Sequence, residues 1–312
     1  MRHTSMWTSL SFVAFALRSS NAIETIASTE RLSSAWHKDV NCHSKAPSVE
    51  VVEGCVPSKC GRTIVDGLFE DQEIEQLLSI VERGLALRDK ASQAGGGPAI
   101  FDLNTGFVRD SNGLDNVFAE KHNSLFTPAD FYAYGRIIKK LKQHTMESLG
   151  VNHLFFTAPT FVTRLDGRNP DWAPRAIHDE YWHLHVDQNS TSHYFYSGLL
   201  YLNSYKTNFE GGLLRFYNKD EETVEEIVEP RRGRALFFTA GPENPHSVDR
   251  VTSGLRYVLS FWFTCDPKRE FQIFLDGQAH MTFGKQVIAR LERQRQEGQV
   301  KARPKSSKAQ DL

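Results

Sequence analysis

The chain of 312 residues is 40% hydrophobic and 24% charged. That balance supports a buried core in one or two domains of about 150 residues each and rules out a disordered or collagen-like protein. Its 37 Lys and Arg offset 38 Asp and Glu, a formal net charge of -1, so no overall basic field exists to hold nucleic acid or an anionic membrane.

Met1-Arg2-His3 precedes an apolar run from Met6 to Leu17 and the small residues Ser20-Asn21-Ala22, the pattern of a secretory signal peptide. A spanning helix takes about 20 apolar residues. This run is shorter and diluted by Thr8, Ser9 and Ser11, so residues 1–22 are expected to be a signal or, second, a short anchor. Residues 23–59 are polar, show no sustained period, and read as a cysteine-bearing stalk. Cys42, Cys55 and Cys60 crowd together while Cys265 stands apart. In an oxidising compartment the three supply one disulfide, its pairing open, and leave one thiol over. A zinc site of Cys42, His43, Cys55 and Cys60 competes with that reading, although its spacing matches no familiar finger.

Residues 60–152 form the next unit, an N-terminal helical support. Thr63-Ile64-Val65 predicts a short strand, and Ile74, Leu77, Leu78, Val81 and Leu85 recur at helical spacing. Gly95-Gly96-Gly97-Pro98 predicts a flexible loop. Thr127-Pro128 opens a second helix that runs through Tyr134, Ile137, Ile138 and Leu141 to Gly150. Beyond Leu154 the period changes from helical to alternating, and short strands are expected at 160–165, 183–187, 195–202, 213–217, 223–228, 235–239 and 256–263. Turns such as Gly211-Gly212 and Gly241-Pro242 divide them. The pattern predicts a mainly β domain over 153–268, a jelly roll with bracing helices. Residues 269–312 hold a last helix, Lys285 to Gln296, and a basic tail. Glu221-Glu222 and Glu225-Glu226 read as a solvated hairpin, and Arg164 to Arg175, with Trp172, as a lid.

Ligand-type side chains concentrate in His178-Asp179-Glu180-Tyr181-Trp182-His183-Leu184-His185-Val186-Asp187. On a strand, residues i and i+2 share a face, which directs His185 and Asp187 toward one ion; His183 shares that parity and is a rival. A distant strand supplies a third ligand, His246. Two histidines and one carboxylate leave coordination positions open, as suits a non-haem Fe(II) that takes up a co-substrate and dioxygen. Arg256 follows on a late strand otherwise lined with Leu, Phe and Tyr, and its planar fork matches a carboxylate.

His185-x-Asp187, the distal His246 and Gly254-Leu255-Arg256-Tyr257 with Trp262 on the same strand resemble the prolyl-hydroxylase-like branch of the Fe(II)/2-oxoglutarate dioxygenases. Residues 197–203, 209–216 and 233–238 resemble that family's intervening strands. The segments 157–161, Cys60-Gly61-Arg62 and Asp66-Gly67-Leu68 extend the likeness over about residues 60–268. The resemblance implies a double-stranded β-helix of the cupin-like kind and an oxidoreductase that hydroxylates a C–H bond, with Fe(II), 2-oxoglutarate and L-ascorbate. It makes His185, Asp187 and His246 the metal ligands and Arg256 the anchor of the co-substrate, and moves His183 to a supporting place. Collagen-type members use a tyrosine near the first ligands to hold 2-oxoglutarate; Tyr181 is displaced from that position, Leu165 occupies it, and Tyr196 is the remaining candidate. A peptidyl, prolyl-like substrate and dioxygen are the implied partners, in the endoplasmic reticulum lumen or, with an N-terminal anchor, an endoplasmic reticulum or Golgi membrane. The sequon Asn189-Ser190-Thr191 is compatible with lumenal glycosylation. A non-catalytic jelly-roll module that binds a metal or glycan is the alternative, with His183 as a fourth ligand.

Overall fold

A computed structural model of the chain describes residues 23–42, 50–88, 96–110, 113–117, 125–157, 160–174 and 179–271. The expected signal or anchor, His43, His178 and the helix at 285–296 lie outside them. No helix among the described residues is long and apolar enough to cross a membrane.

Fifteen strands are described: β1 (Glu24–Ile26), β2 (Trp36–Val40), β3 (Cys60–Val65), β4 (Gly97–Phe101), β5 (Phe107–Asp110), β6 (Gly113–Asn116), β7 (Phe155–Phe156), β8 (Phe161–Asp166), β9 (Tyr196–Tyr201), β10 (Phe209–Gly211), β11 (Leu214–Tyr217), β12 (Val224–Val228), β13 (Ala235–Thr239), β14 (His246–Val248) and β15 (Val251–Thr264). They form two sheets. The smaller runs β1-β12-β11-β14; the larger runs β2-β3-β13-β9-β15-β8-β4-β5-β6, with β7 and β10 also on β15. Ile64, Tyr201, Leu236, Phe238 and Val258 of the larger sheet pack between the sheets against Leu214, Phe216 and Val228 of the smaller. This wrap of two sheets is the double-stranded β-helix that the sequence led us to expect.

The other face of the larger sheet carries Tyr196, Leu200, Phe237, Leu259, Phe261 and Phe263 into a core with two helices, α1 (Asp71–Leu85) and α2 (Pro128–Leu149). Strand alternation divides β13 between the two cores, which is why all five of its residues are buried. A capping box of Glu70 and Glu73 starts α1, and Ile74, Leu77, Val81 and Leu85 form its buried stripe. Thr127 and Asp130 make the equivalent box for α2, and Gly150 ends it in the left-handed conformation at φ 64°. A Cβ at Gly84 would lie 2.4 Å from the Phe101 ring, so only glycine lets α1 sit this close to β4.

Several expectations are corrected. Residues 23–42 and 50–59, the described part of the expected stalk, are built into the fold. β1 pairs in parallel with β12, and β2 pairs with β3. Arg234, fully buried, donates to the carbonyls of Ile26, Ala27, Glu30 and Glu229 and pairs with Asp66. Backbone acceptors hold this segment together with scattered apolar contacts from Ile26, Leu32 and Trp36, so no periodic hydrophobic pattern reveals it. All four cysteines pair, Cys42 with Cys60 and Cys55 with Cys265; no thiol is left over and the zinc reading falls. Gly97-Pro98 belongs to β4, whose Gly97 faces Asp166 of β8, so the second half of the expected loop is strand. Arg164 to Asp166, the start of the expected lid, lie in β8 as well. Glu226 is not solvated: it is 0% exposed and paired with Arg62 and Lys38.

Candidate active site

His185 and His246 are brought together by the backbone. Their amides and carbonyls bond reciprocally, at 3.0 and 2.9 Å, and the ring centroids stand 4.3 Å apart. The expected strand over 183–187 reduces to this single bridge. Past it the chain turns into a one-turn helix, α3 (Asp187–Ser190), which brings the Asp187 carboxylate to the two rings. Oδ1 lies 3.6 Å from His185 Nε2 and Oδ2 3.9 Å from His246 Nε2. One ligand atom from each of the three residues falls within 4.8 Å of the others, and no other group of this kind occurs among the described residues.

Each candidate ligand is oriented by a second contact. His185 Nδ1 bonds the His183 carbonyl at 3.0 Å and His246 Nδ1 the Asn244 carbonyl at 3.0 Å. These acceptors put the proton on Nδ1 and leave Nε2 of both rings free for a metal. Ser197 on β9 donates to Asp187 Oδ2 at 2.5 Å. Burial among Phe216 and Phe238 lowers the His246 pKa from its ordinary value, against the opposing pull of Asp187, and so favours the neutral imidazole a metal requires. His183 contributes its carbonyl; its exposed ring stands beside His185 with centroids 5.4 Å apart and is not part of the cluster.

Arg256 enters the space between the sheets from β15 and is 2% exposed. Its Nε and Nη2 have no hydrogen-bond partner, nor has the hydroxyl of Tyr201. The guanidinium carbon lies 5.4 Å from the Tyr201 ring centroid. No carboxylate among the described residues pairs with Arg256. The Gly211-Gly212 turn makes room for it: a Cβ on Gly212, at φ 65°, would meet Arg256 Cδ at 2.6 Å. Burial lowers its pKa, partly offset by Tyr201 and Tyr181, yet a guanidinium remains charged. A buried cation with unsatisfied donors is costly unless an anion joins it.

Tyr196 is corrected. Its side chain points to the helix-side core, where its hydroxyl donates to the Cys55 carbonyl at 2.5 Å. Tyr201, five residues on and of opposite parity, faces Arg256 instead; counting parity from Ser197 along β9 would have found it. Tyr181 accepts from the Val251 amide at 2.9 Å. Trp172 of the expected lid packs edge to face with Trp182, and Arg250 lies over both indoles and donates to the Trp172 carbonyl at 2.6 Å.

Residues 175–264, from just before the first ligand segment to the end of β15, match the family model described as 2OG-Fe(II) oxygenase superfamily. That match sets the segment among the 2-oxoglutarate-dependent dioxygenases, a class of oxidoreductases. The likeness is not confined to the site. A rat protein named 2-oxoglutarate and iron-dependent oxygenase domain-containing protein 3 is 35% identical over 277 residues, 86% of this chain and 84% of that one. With similarity of that extent, the chain belongs to the 2OG-Fe(II) oxygenase superfamily. Human prolyl 3-hydroxylase 1 is 47% identical over 73 residues, 23% of this chain and 10% of that one. A prolyl hydroxylase of Trichoplax adhaerens, solved with a hypoxia inducible factor peptide, aligns with a TM-score of 0.44 and 15% identity, over 67% of this chain and 85% of that one.

Membership implies Fe(II) and 2-oxoglutarate, and the residues present fit both. Two imidazoles and one carboxylate are the donor set of a ferrous site with open positions. The orphaned donors of Arg256 and Tyr201 fit the far carboxylate of a dicarboxylic acid.

Proposed function

We propose that His185, Asp187 and His246 hold Fe(II), that Arg256 and Tyr201 hold the distal carboxylate of 2-oxoglutarate, and that the enzyme hydroxylates a prolyl-like side chain of a peptide. The guanidinium of Arg256 carries the co-substrate reading, because it is a buried charge with orphaned donors for which the described residues supply no counter-ion. When bound, iron and co-substrate would supply a dioxygen-dependent oxidative decarboxylation, one oxygen atom of O2 entering succinate as carbon dioxide leaves and the other entering a C–H bond. The chain's own contribution is binding and orientation. The carbonyls of His183 and Asn244 fix the imidazole tautomers, Ser197 steadies Asp187, and the aromatic walls Phe216, Phe238 and Tyr201 keep the interior dry. Trp262 faces Ser197 across β9 and β15, and its buried Nε1 lacks an acceptor, which supports a polar substrate atom at that wall.

Iron, 2-oxoglutarate, ascorbate and a library of proline-containing peptides, incubated with the protein, test the substrate class. Succinate release with a peptide gaining one oxygen atom is expected; succinate release with every peptide unmodified would overturn the peptidyl reading alone. The two disulfides support passage through an oxidising secretory compartment. On that route exposed Asn189 carries an endoglycosidase-sensitive glycan, and its absence from protein made by secretory cells would count against the location.

A further inference from the structure

Cys60-Gly61-Arg62 takes no part in the site described above, yet Arg62 is among the most buried side chains in the molecule. β3 carries it into the space between the sheets. There its guanidinium carbon lies 4.3 Å from the Phe216 ring centroid and it pairs with buried Glu226. Its Nε donates to Asn244 Oδ1 at 2.6 Å. Asn244 Nδ2 donates in turn to the carbonyl and the hydroxyl of Thr239, both at 2.8 Å. The Asn244 carbonyl accepts from His246 Nδ1. A continuous chain of polar contacts thus runs from the third strand to a candidate metal ligand.

We propose that Arg62 is a positioning residue for the metal centre, setting the orientation of His246 through Asn244 and thereby the affinity for a divalent ion. The inference rests on the reading that His185, Asp187 and His246 hold that ion. Asn244 belongs to the irregular turn between β13 and β14; its amide bonds the Gly241 carbonyl at 3.0 Å, and its side chain adds a clamp, held at one end by Arg62 and at the other by Thr239. The acceptor on the far nitrogen of a ligating imidazole fixes the ring's rotation and its basicity. Arginine suits the task because one planar fork reaches Glu226 and Asn244 at once while its face lies on Phe216. The N-terminal strands, held together by the Cys42–Cys60 disulfide, are by this inference part of the metal centre's support.

Co(II) binding to the full chain, followed by visible absorption, separates this role from simple packing. Arg62→Lys keeps a positive charge for Glu226 but places a point charge where the fork reaches Asn244; Asn244→Ala removes the link and leaves the Arg62–Glu226 pair intact. Each folded variant is expected to bind Co(II) roughly tenfold or more weakly than the natural chain, with a shifted ligand-field band. The double variant should bind no more weakly than the poorer single one, since both interrupt one chain of contacts. Natural affinity and spectrum in Asn244→Ala, or strictly additive losses, overturn the proposal; Asn244→Ala decides if Arg62→Lys does not fold. Absence of Co(II) binding by the natural chain, or full binding by Asp187→Ala, would overturn the metal assignment itself.

Discussion

At the scale of single residues, Arg256 pays a desolvation cost that nothing in the described structure offsets. Replacing it with Met should therefore leave folding intact or improved while weakening 2-oxoglutarate binding by about 2–5 kcal/mol, some thirtyfold or more. Tyr201→Phe removes a hydroxyl without a partner, so its melting temperature should hold while the KM for 2-oxoglutarate rises severalfold. Calorimetric titration with 2-oxoglutarate checks both, and unchanged affinity in Arg256→Met would contradict the assignment. His185, Asp187, His246 and Arg256 were legible because ligand-type and charged residues at these spacings stand out from the apolar strands around them. Tyr201 was passed over for Tyr196, one strand parity away. Glu226 and Arg62 were read as ordinary surface charge or left aside, because a buried ion pair joins residues 164 positions apart and leaves no local pattern.

At the scale of elements, the helices were legible and the shortest strands were not. Capping boxes and a helical period mark α1 and α2 within a dozen residues of sequence, whereas β1, three residues long, takes its partners from the distant β12 and Arg234 and buries a single apolar side chain, Ile26. The strand expected over 183–187 stops at His185, since the chain must turn there to swing Asp187 toward the imidazoles. The two helices are joined by Asp130, which accepts from Arg83 Nη2 at 2.6 Å and from the Thr127 amide at 2.8 Å. Burial alone would raise the Asp130 pKa, but Arg83 and Thr127 outweigh it and hold the carboxyl below its ordinary value. The folded state then binds fewer protons than the unfolded one. This contribution is complete above the unfolded carboxylate value of about 4 and is lost as pH falls through the depressed folded value. Asp130→Asn is expected to cost about 1–3 kcal/mol near neutral pH and to lose less further stability on acidification; urea unfolding at neutral and acid pH with parallel slopes for both proteins would refute this.

At the scale of the molecule, two crosslinks fasten the described N-terminal segment to the barrel. Cys55–Cys265 spans 210 residues of sequence and Cys42–Cys60 spans 18, so on loop-entropy grounds the long crosslink stabilises by about 5 kcal/mol and the short one by about 3. Cys55→Ala with Cys265→Ala should lower the melting temperature more than Cys42→Ala with Cys60→Ala does; the reverse order in calorimetry would show that the unfolded-state constraint is not what decides. The jelly roll was readable from strand spacing and the family motif. The inclusion of residues 23–42 and 50–59 was not, because main-chain acceptors, crosslinks and a few scattered apolar contacts, rather than a regular apolar stripe, tie that segment down. All these features converge on a candidate metal site beside a buried cation, Arg256, for which the described residues supply no counter-ion. The most direct test is anaerobic titration of the protein with Fe(II) and 2-oxoglutarate, watched for the visible charge-transfer band of the joint complex. The band is expected in the natural chain and in His183→Ala, and should be lost in Asp187→Ala and strongly weakened in Arg256→Met; a natural chain that gives no band, or an Asp187→Ala variant that keeps it, would contradict the assignment.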